Sequence, residues 1–280
     1  MLQEEFPQGR LYQGQALTAG DFLVPLEDGQ QWLLNQDQLT ARERLLLAAL
    51  TPASKSRPTA WQSYLEVYGP LPQKLKGLRF LFLSQQGSLK EDWLDLLASA
   101  LPSFLASFPL DKGGYCLLLD QEGAQDIEEV LQDLLPALEY DFELTLQVFV
   151  GHSWTGQDPA SWPFIYRQEK ELFEQVSQPF NKSQIVGFSQ VLLQQMSQGK
   201  SLPQDLMRKL AQTILDQDQM KETVQVMWKQ SAVLTKAAQE LFIHRNTLQH
   251  RLDKYGQETG FYLRKMDDLA LAHMILLAYS

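Results

Sequence analysis

Residues 241 to 252 read Leu-Phe-Ile-His-Arg-Asn-Thr-Leu-Gln-His-Arg-Leu. Within and just after this stretch, Leu248, Leu252 and Tyr255 recur at spacings of four and three residues. That spacing is typical of the buried stripe of an amphipathic helix. The sequence therefore predicts a helix over about 245 to 255, preceded by a sharp turn.

The segment before the turn predicts a second, shorter helix over 235 to 242. Its Ala237 and Ala238 are small enough for another helix to cross closely, so the two helices form a helix-turn-helix. Many such units place Gly in the turn, whereas this chain has Phe242 there. We therefore expect apolar packing of Phe242 and Ile243 to hold the turn.

The outward positions of the second helix all carry hydrogen-bonding side chains. No carboxylate occurs from 244 to 251, although a merely solvated face favours Glu and Lys, which are better helix formers. Arg pairs with guanine edges, Asn and Gln pair with adenine, and Thr contacts phosphate or a thymine methyl group. The alternative is an ordinary helical hairpin with a solvated face. The predicted DNA-contacting residues are His244, Arg245, Asn246, Thr247, Gln249, His250, Arg251 and Lys254.

The segment from about Ala237 to Leu277 resembles the C-terminal DNA-binding domain of PucR/CdaR-type regulators, the purine-catabolism and sugar-diacid transcription factors. The resemblance rests on residues 241 to 248, Arg251-Leu252, Thr259-Gly260 and residues 267 to 271. The family usually has Tyr where this chain has His250, so a packing or phosphate contact there differs. The resemblance implies a dimeric transcription regulator whose recognition helix covers about 245 to 255.

The charge distribution agrees with a DNA-binding C-terminal module. The whole chain of 280 residues has a net charge of −10, but residues 221 to 280 contain 8 Lys or Arg against 6 Asp or Glu. The first 220 residues therefore contain 16 against 28, a net charge of −12. Because an acidic body is repelled by the duplex, binding depends on the C-terminal module.

Composition also limits compartment and redox chemistry. The N-terminus is acidic and has no apolar stretch typical of a secretion signal, and no segment is long and apolar enough to cross a membrane. We therefore expect a cytoplasmic protein without membrane contacts. The single cysteine, Cys116, lies in an apolar run and is interpreted as a buried strand residue. A reactive-thiol sensor is disfavoured because no basic residue lies adjacent to it.

The first 60 residues predict a separate N-terminal region. An Asp28-Gly29 turn between two apolar runs predicts a β-hairpin over about 22 to 34. Thr40 and Glu43 form a capping box that predicts a helix over 41 to 50. The stretch from 51 to 59, with two prolines, is interpreted as a linker.

Residues 61 to 180 predict an α/β sensory or dimerising domain, in which a sheet is covered by helices. Its order and spacing resemble a degenerate GGDEF or nucleotide-cyclase-like domain, with an apolar strand ending at Gly151. No GGDEF signature or metal-binding Asp pair is present, so cyclase chemistry is not expected. The strands are predicted at 78–83, 114–119 and 144–150, and the helices at 90–101, 126–138 and 162–175.

Residues 181 to 220 predict a helical linker, broken at Gly199 and Pro203. Its apolar stripe is expected to place Phe188, Leu192 and Leu210 in a dimer interface or in the core beside it. Helical periodicity does not separate these two possibilities, nor does it exclude a simple spacer.

Other motifs in the chain do not predict catalysis or metal binding. Residues 151 to 156 imitate the nucleophile elbow of α/β-hydrolases, but Thr155 stands where the strained turn needs Gly. His244 and His250 are six residues apart rather than the four of a helical zinc site. His273 is interpreted as a packed core histidine, and the aromatic residues are expected in the core rather than around a ligand: Trp93, Trp154, Trp162 and Phe164.

The sequence thus predicts an α+β/α protein, in which an α/β region is followed by a helical linker and an all-α helix-turn-helix domain over 221 to 280. We expect a homodimeric, DNA-binding transcription regulator that is not an enzyme, needs no cofactor or metal and responds to an unidentified small-molecule effector. The alternative is an interaction or scaffold protein that retains the helix-turn-helix fold without binding DNA.

Overall fold

The computed structural model describes residues 9–12, 21–25, 31–35, 59–67, 69–87, 93–111, 113–120, 127–176, 180–200, 202–217 and 219–279. The chain divides into two compact units, Met1–Pro58 and Thr59–Ser280. The predicted helix over 41 to 50 and nearly all of the predicted linker over 51 to 59 lie outside the described residues. Among the helices that the structure describes, none is both long and apolar enough to cross a lipid bilayer.

The first unit contains a three-stranded sheet in the order β1-β3-β2. Its strands are β1 (Arg10–Leu11), β2 (Asp21–Pro25) and β3 (Gln31–Asn35). Strands β2 and β3 are antiparallel, with Pro25 opposite Gln31. The predicted pairing of two apolar strands at this place is therefore confirmed.

The second unit begins with a sheet whose main strands follow the order β5-β6-β4-β7-β9. These strands are β4 (Gly77–Gly87), β5 (Phe104–Pro109), β6 (Tyr115–Asp120), β7 (Leu144–Val150) and β9 (Gln184–Gly187), and the short β8 (Trp154–Thr155) pairs with β4. Every pair is antiparallel except β7 with β9. Strands β4 to β7 have the split β-α-β arrangement. The degenerate GGDEF-like assignment stays a prediction, because strand order alone does not identify it.

Helices cover both faces of this sheet, and alternation along the strands decides which residues meet them. Phe80, Phe82 and Phe149 face helices α1 (Ala60–Val67) and α4 (Trp162–Val176). Leu81, Leu83 and Val148 face helices α2 (Trp93–Ala100) and α3 (Ile127–Phe142). The predicted mixture of sheet and helices is confirmed. Sequence analysis missed β5, the short β8 and β9, and β9 corrects the helical interpretation of residues 184 to 187.

Helices complete the chain after β9. They are α5 (Phe188–Ser197), α6 (Gln204–Leu215), α7 (Met220–Lys229), α8 (Leu234–Glu240), α9 (Arg245–Thr259) and α10 (Met266–Tyr279). Helix α10 packs against α5, α6 and α7, and these helices share one apolar core with a face of the sheet. The predicted break between α5 and α6 is confirmed. Phe188, Leu192 and Leu210 are buried in this core.

Several expectations about single side chains are settled by burial. Cys116 is buried, and burial raises the pKa of its thiol well above the ordinary value. Trp93, Trp154 and Trp162 are core residues, as expected. The interpretation of His273 as a core histidine is wrong, because this residue is only half-buried. Its ring stacks on the partly exposed ring of Trp228, with 4.6 Å between ring centroids.

Candidate nucleic-acid interface

Helices α8 and α9 form the predicted helix-turn-helix. Ala237 and Ala238 are buried on α8, and Leu248, Leu252 and Tyr255 form the buried stripe of α9. Both the close crossing and the stripe are therefore confirmed. Helix α9 begins at the predicted residue, Arg245, and continues past the predicted end to Thr259.

The turn between the two helices is held by backbone hydrogen bonds rather than by packing of Phe242. The N–H of Ile243 donates to the carbonyl of Ala238 at 3.0 Å, and that of Phe242 donates to Gln239 at 3.2 Å. These two bonds form a Schellman motif, in which Phe242 takes the left-handed position with φ of +53°. Its side chain is 95% exposed, which corrects the expected packing, while Ile243 packs partly against the core.

The N-terminus of α9 has a cap that sequence analysis did not identify. His244 is the N-cap residue, and its Nδ1 accepts a hydrogen bond from the N–H of Asn246 at 3.2 Å. Histidine is not among the preferred N-cap residues, so the sequence pattern gave no signal for this role. The cap fixes where the helix begins and therefore which side chains project from its first turn.

Most of the predicted contact residues project into solvent. His244, Arg245, Asn246, Thr247, His250 and Lys254 are exposed, whereas Gln249 and Arg251 are half-buried. No acidic side chain lies in the first turn of α9. Because a helix N-terminus carries partial positive charge, this end of α9 favours an anionic partner.

Two of the predicted phosphate-contacting residues already have partners within the chain. Nη1 of Arg251 donates to Oγ1 of Thr223 on α7 at 3.4 Å, so Arg251 braces α9 against α7. Nζ of Lys254 lies 3.7 Å from Oε1 of Glu258, one turn along α9. Both residues of this pair are largely exposed, so the ion pair is weak and leaves Lys254 accessible.

A polar contact ties α7 to α8 on the other side of the turn. The carboxylate of Glu240 accepts from Nζ of Lys229 at 2.7 Å and from Nε2 of Gln230 at 2.6 Å. These hydrogen bonds lower the pKa of Glu240. The acid is therefore occupied by two side chains from the end of α7.

The residues that imitated a nucleophile elbow have a structural role. The carboxylate of Glu169 is fully buried and accepts from the N–H of His152 at 2.9 Å and from Nε1 of Trp154 at 2.7 Å. A Cβ at Gly151 would lie 2.1 Å from Oε2 of Glu169, so glycine is required for this approach. Among the described residues, no three His, Cys, Asp or Glu side chains are grouped to hold a metal ion.

This geometry defines a class of protein with a sheet-containing body and a C-terminal helix-turn-helix. The family model of the PucR C-terminal helix-turn-helix domain matches residues 220–278. The carbohydrate diacid regulator of Escherichia coli is 25% identical over 158 residues, covering 55% of this chain and 40% of that protein. Residues 220–278 are therefore a PucR-type C-terminal helix-turn-helix domain, as residues 241 to 252 predicted, and the chain has weak similarity to the carbohydrate diacid regulator.

Two further relatives match along most of the chain. A leucine-rich protein of Streptococcus dysgalactiae subsp. equisimilis is 31% identical over 261 residues, covering 91% of this chain and 92% of the relative. Uncharacterized protein YxkF of Bacillus subtilis is 23% identical over 266 residues, covering 90% and 89%. A solved regulator of polyketide synthase expression from Bifidobacterium adolescentis is 18% identical, with a TM-score of 0.33 and coverage of 74% and 80%.

Proposed function

We propose that this protein is a DNA-binding transcription regulator that reads the major groove with the N-terminal half of α9. The observation that supports this proposal most strongly is the exposed, carboxylate-free face that begins at the capped N-terminus of this helix. Arg245 and Asn246 extend from its first turn, where recognition helices contact base edges. Gln249 is half-buried and takes the smaller part in base contacts.

The flanks of α9 supply the sequence-independent part of binding. Thr247 and Lys254 are exposed and contact phosphates, and Arg251 does so from its position against α7. The exposed ring of Phe242 stands directly before the helix, where an apolar group contacts a thymine methyl. His244 and His250 complete the surface.

One recognition helix contacts few base pairs, so we also propose a homodimer that binds two half-sites about one helical turn apart. Phe188, Leu192 and Leu210 are buried in the core of the single chain and are not the contact surface of this dimer. The sheet-containing part of the second unit is proposed to sense an effector, and the protein is proposed to act in the cytoplasm. Catalysis forms no part of the proposal.

Selection of duplexes from a random DNA library by the full-length protein tests the proposal. The selected sequences are expected to contain a repeated half-site. Arg245→Ala and Asn246→Ala are each expected to weaken binding to that site by about 1 to 3 kcal/mol without changing the melting temperature. Arg208→Ala and Gln257→Ala remove a guanidinium and an amide group from exposed positions on α6 and near the end of α9, and serve as controls.

The alternative role, an interaction protein that retains the fold, predicts a different result. In that case no sequence is enriched, and the variants of α9 bind random duplexes as weakly as the unaltered protein. A single half-site among the enriched sequences, together with a monomer by light scattering, would remove the homodimer but keep DNA binding.

A further inference from the structure

A small cavity lies between the end of the sheet and the C-terminal helices, and its lining includes none of the predicted DNA-contacting residues. Its volume is about 140 Å³. Strand β4, helix α3, the β9–α5 junction and the start of α10 all contribute to its wall. The lining includes five charged or polar residues and one glycine at the β9–α5 junction, namely Arg79, Glu128, Ser189, Lys265, Asp268 and Gly187.

Arg79 is the unusual member of this wall. Its side chain is on β4 and only 6% of the residue is exposed. Nε of its guanidinium is buried without a hydrogen-bond partner, and its positive charge acts on nearby Glu169 and His152, where it lowers the pKa of each in addition to the larger effect of burial. A buried charge is costly unless it is paired, and a guanidinium matches the two oxygens of a carboxylate. Arg79 therefore provides an unfilled site for an anionic group.

The N-terminus of α5 adds a second feature that favours an anion. This helix has ten residues, and its N-cap, Gly187, provides no side-chain cap for the first N–H groups. Such groups bind anions because they are free to donate and carry the positive end of the helix dipole. Gly187 also keeps this wall open, since a Cβ there would lie 3.2 Å from Oε1 of Glu128.

The opposite side of the cavity is acidic, which restricts the ligand further. Asp268 accepts from Oγ of Ser189 at 2.5 Å and from the N–H of Tyr262 at 2.9 Å. Glu128 pairs with Nζ of Lys265 at 2.8 Å. These carboxylates repel a dianion such as phosphate and accept hydrogen bonds from hydroxyl or amino groups.

We propose that this cavity binds a small monocarboxylate that carries a hydroxyl or amino group, with its carboxylate on Arg79 and its donor group directed to the acidic side. Size supports a compact ligand, because a cavity of about 150 Å³ holds benzene, with roughly six non-hydrogen atoms. Lactate, glycine and L-serine have this size and chemistry. The ligand site itself does not depend on DNA binding.

The cavity also touches the end of the recognition helix. Gly260, the C-cap of α9, lies in its wall, and a Cβ at Gly260 would approach Ser153 to 2.8 Å. Oγ1 of Thr155 donates to the carbonyl of Glu258 in the last turn of α9. A ligand that shifts these contacts changes the placement of α9, so ligand and DNA affinities are coupled in both directions. This coupling, unlike the ligand site, rests on the proposed DNA binding.

Thermal unfolding of the full chain in lactate, glycine or L-serine, each at 10 mM, tests the ligand site. At least one of the three is expected to raise the melting temperature by about 3 °C. Inorganic phosphate and the amide of serine, which lacks the carboxylate, are expected to leave it unchanged. No rise with any of the three acids, or a larger rise with phosphate, would overturn the proposal.

Two variants separate the ligand site from general stability. Arg79→Met is expected to raise the melting temperature of the ligand-free protein by about 2 to 4 °C, because it removes a buried charge whose Nε has no hydrogen-bond partner, and to abolish the response to the acids. Arg208→Met makes the same change on the exposed surface of α6 and is expected to alter neither quantity. A response to the acids that survives Arg79→Met contradicts the proposal.

Gly187→Ala keeps every charge but narrows the cavity, so it gives an answer even where Arg79→Met fails to fold. It is expected to reduce the response to the acids at least threefold with little change in the ligand-free melting temperature. An unchanged response to the acids in this variant places the ligand elsewhere and overturns the site. DNA titrations with and without the active acid then measure the coupling, and an absence of DNA binding leaves the thermal result intact.

Discussion

The start of helix α9 and the loop after strand β7 are both rich in polar side chains, but they differ in where those side chains lie. On α9, Arg245, Asn246 and Thr247 project into solvent. In the loop, His152 and Ser153 are buried, and the N–H of His152 donates to the buried carboxylate of Glu169. Polar groups that stay in water remain available to a partner, whereas buried ones hold the backbone in place. Similar residue types therefore serve recognition in one region and support in the other.

The largest expected effect concerns the support region. Gly151→Ala places a Cβ 2.1 Å from Oε2 of Glu169 and 2.7 Å from the carbonyl oxygen of Phe80. The backbone atom cannot move aside easily, so we expect a loss of about 3 kcal/mol in the free energy of unfolding. Urea denaturation measures it. Gly187→Ala, whose nearest new contact is a flexible side chain at 3.2 Å, is the control and should cost far less.

Equal losses in Gly151→Ala and Gly187→Ala would mean that the loop adapts and that Glu169 is not held rigidly. The buried polar side chains of the loop would then not hold the backbone in place.

A smaller effect is expected from the pH dependence of stability. Burial raises the pKa of Glu169 from 4.5 to about 8, despite two hydrogen bonds that lower it. The folded state therefore binds the extra proton, and stability falls as pH rises from 4.5 to 8. Burial lowers the pKa of His152 from 6.5 to about 3, which makes stability rise with pH, but only up to 6.5. The pKa of Asp268 is raised to about 6, so its titration changes stability only below that pH.

Between pH 6.5 and 8 the effect of Glu169 is thus isolated from those of His152 and Asp268. We expect the unaltered protein to lose about 1 to 2 kcal/mol over this interval and Glu169→Gln to lose much less. Urea denaturation at the two pH values is the measurement, with Glu171→Gln on the exposed side of the same helix as control. Parallel pH profiles for the protein and Glu169→Gln would show that another group titrates there.

The smallest effect is expected on the exposed side of the comparison. His244→Ala removes the N-cap of α9 and should lower the free energy of unfolding by about 1 kcal/mol, while His244→Ser retains a capping oxygen and most of the stability. His250→Ala removes the same side chain from the exposed face of α9, where it caps nothing, and should leave stability unchanged. Chemical denaturation of the three variants decides whether His244 has a structural role besides its proposed contact.

The sequence predicted α9 well because helical periodicity is a local property of the chain. Leu248, Leu252 and Tyr255 mark the buried stripe, and the absence of carboxylates marks the opposite face. Strand β9 was missed because only four residues pair with β7, and their apolar side chains also fit a helical pattern. Burial of Arg79 was not foreseen either, since it depends on helices that are distant in the sequence.

The conformation of Phe242 shows a further limit of local patterns. A left-handed backbone conformation is predicted from Gly, because Gly adopts positive φ without a steric cost. A bulky residue at that position gives no sequence signal for this conformation. The hydrogen bonds of Ile243 and Phe242 to α8 impose the conformation, so the exposed ring follows from the turn rather than from its own preference. The N-cap at His244 was not predicted from the sequence either, because histidine is not among the preferred N-cap residues.

The packing of α10 has a practical consequence for anyone who isolates the recognisable domain. The stretch that matches the PucR C-terminal helix-turn-helix domain begins at residue 220, yet α10 rests partly on α5 and α6, which precede it. A fragment expressed from residue 220 onward would present the uncovered side of α10 to water and invite aggregation. The stretch that matches the family domain is thus shorter than the part of the chain that α10 needs in order to stay covered.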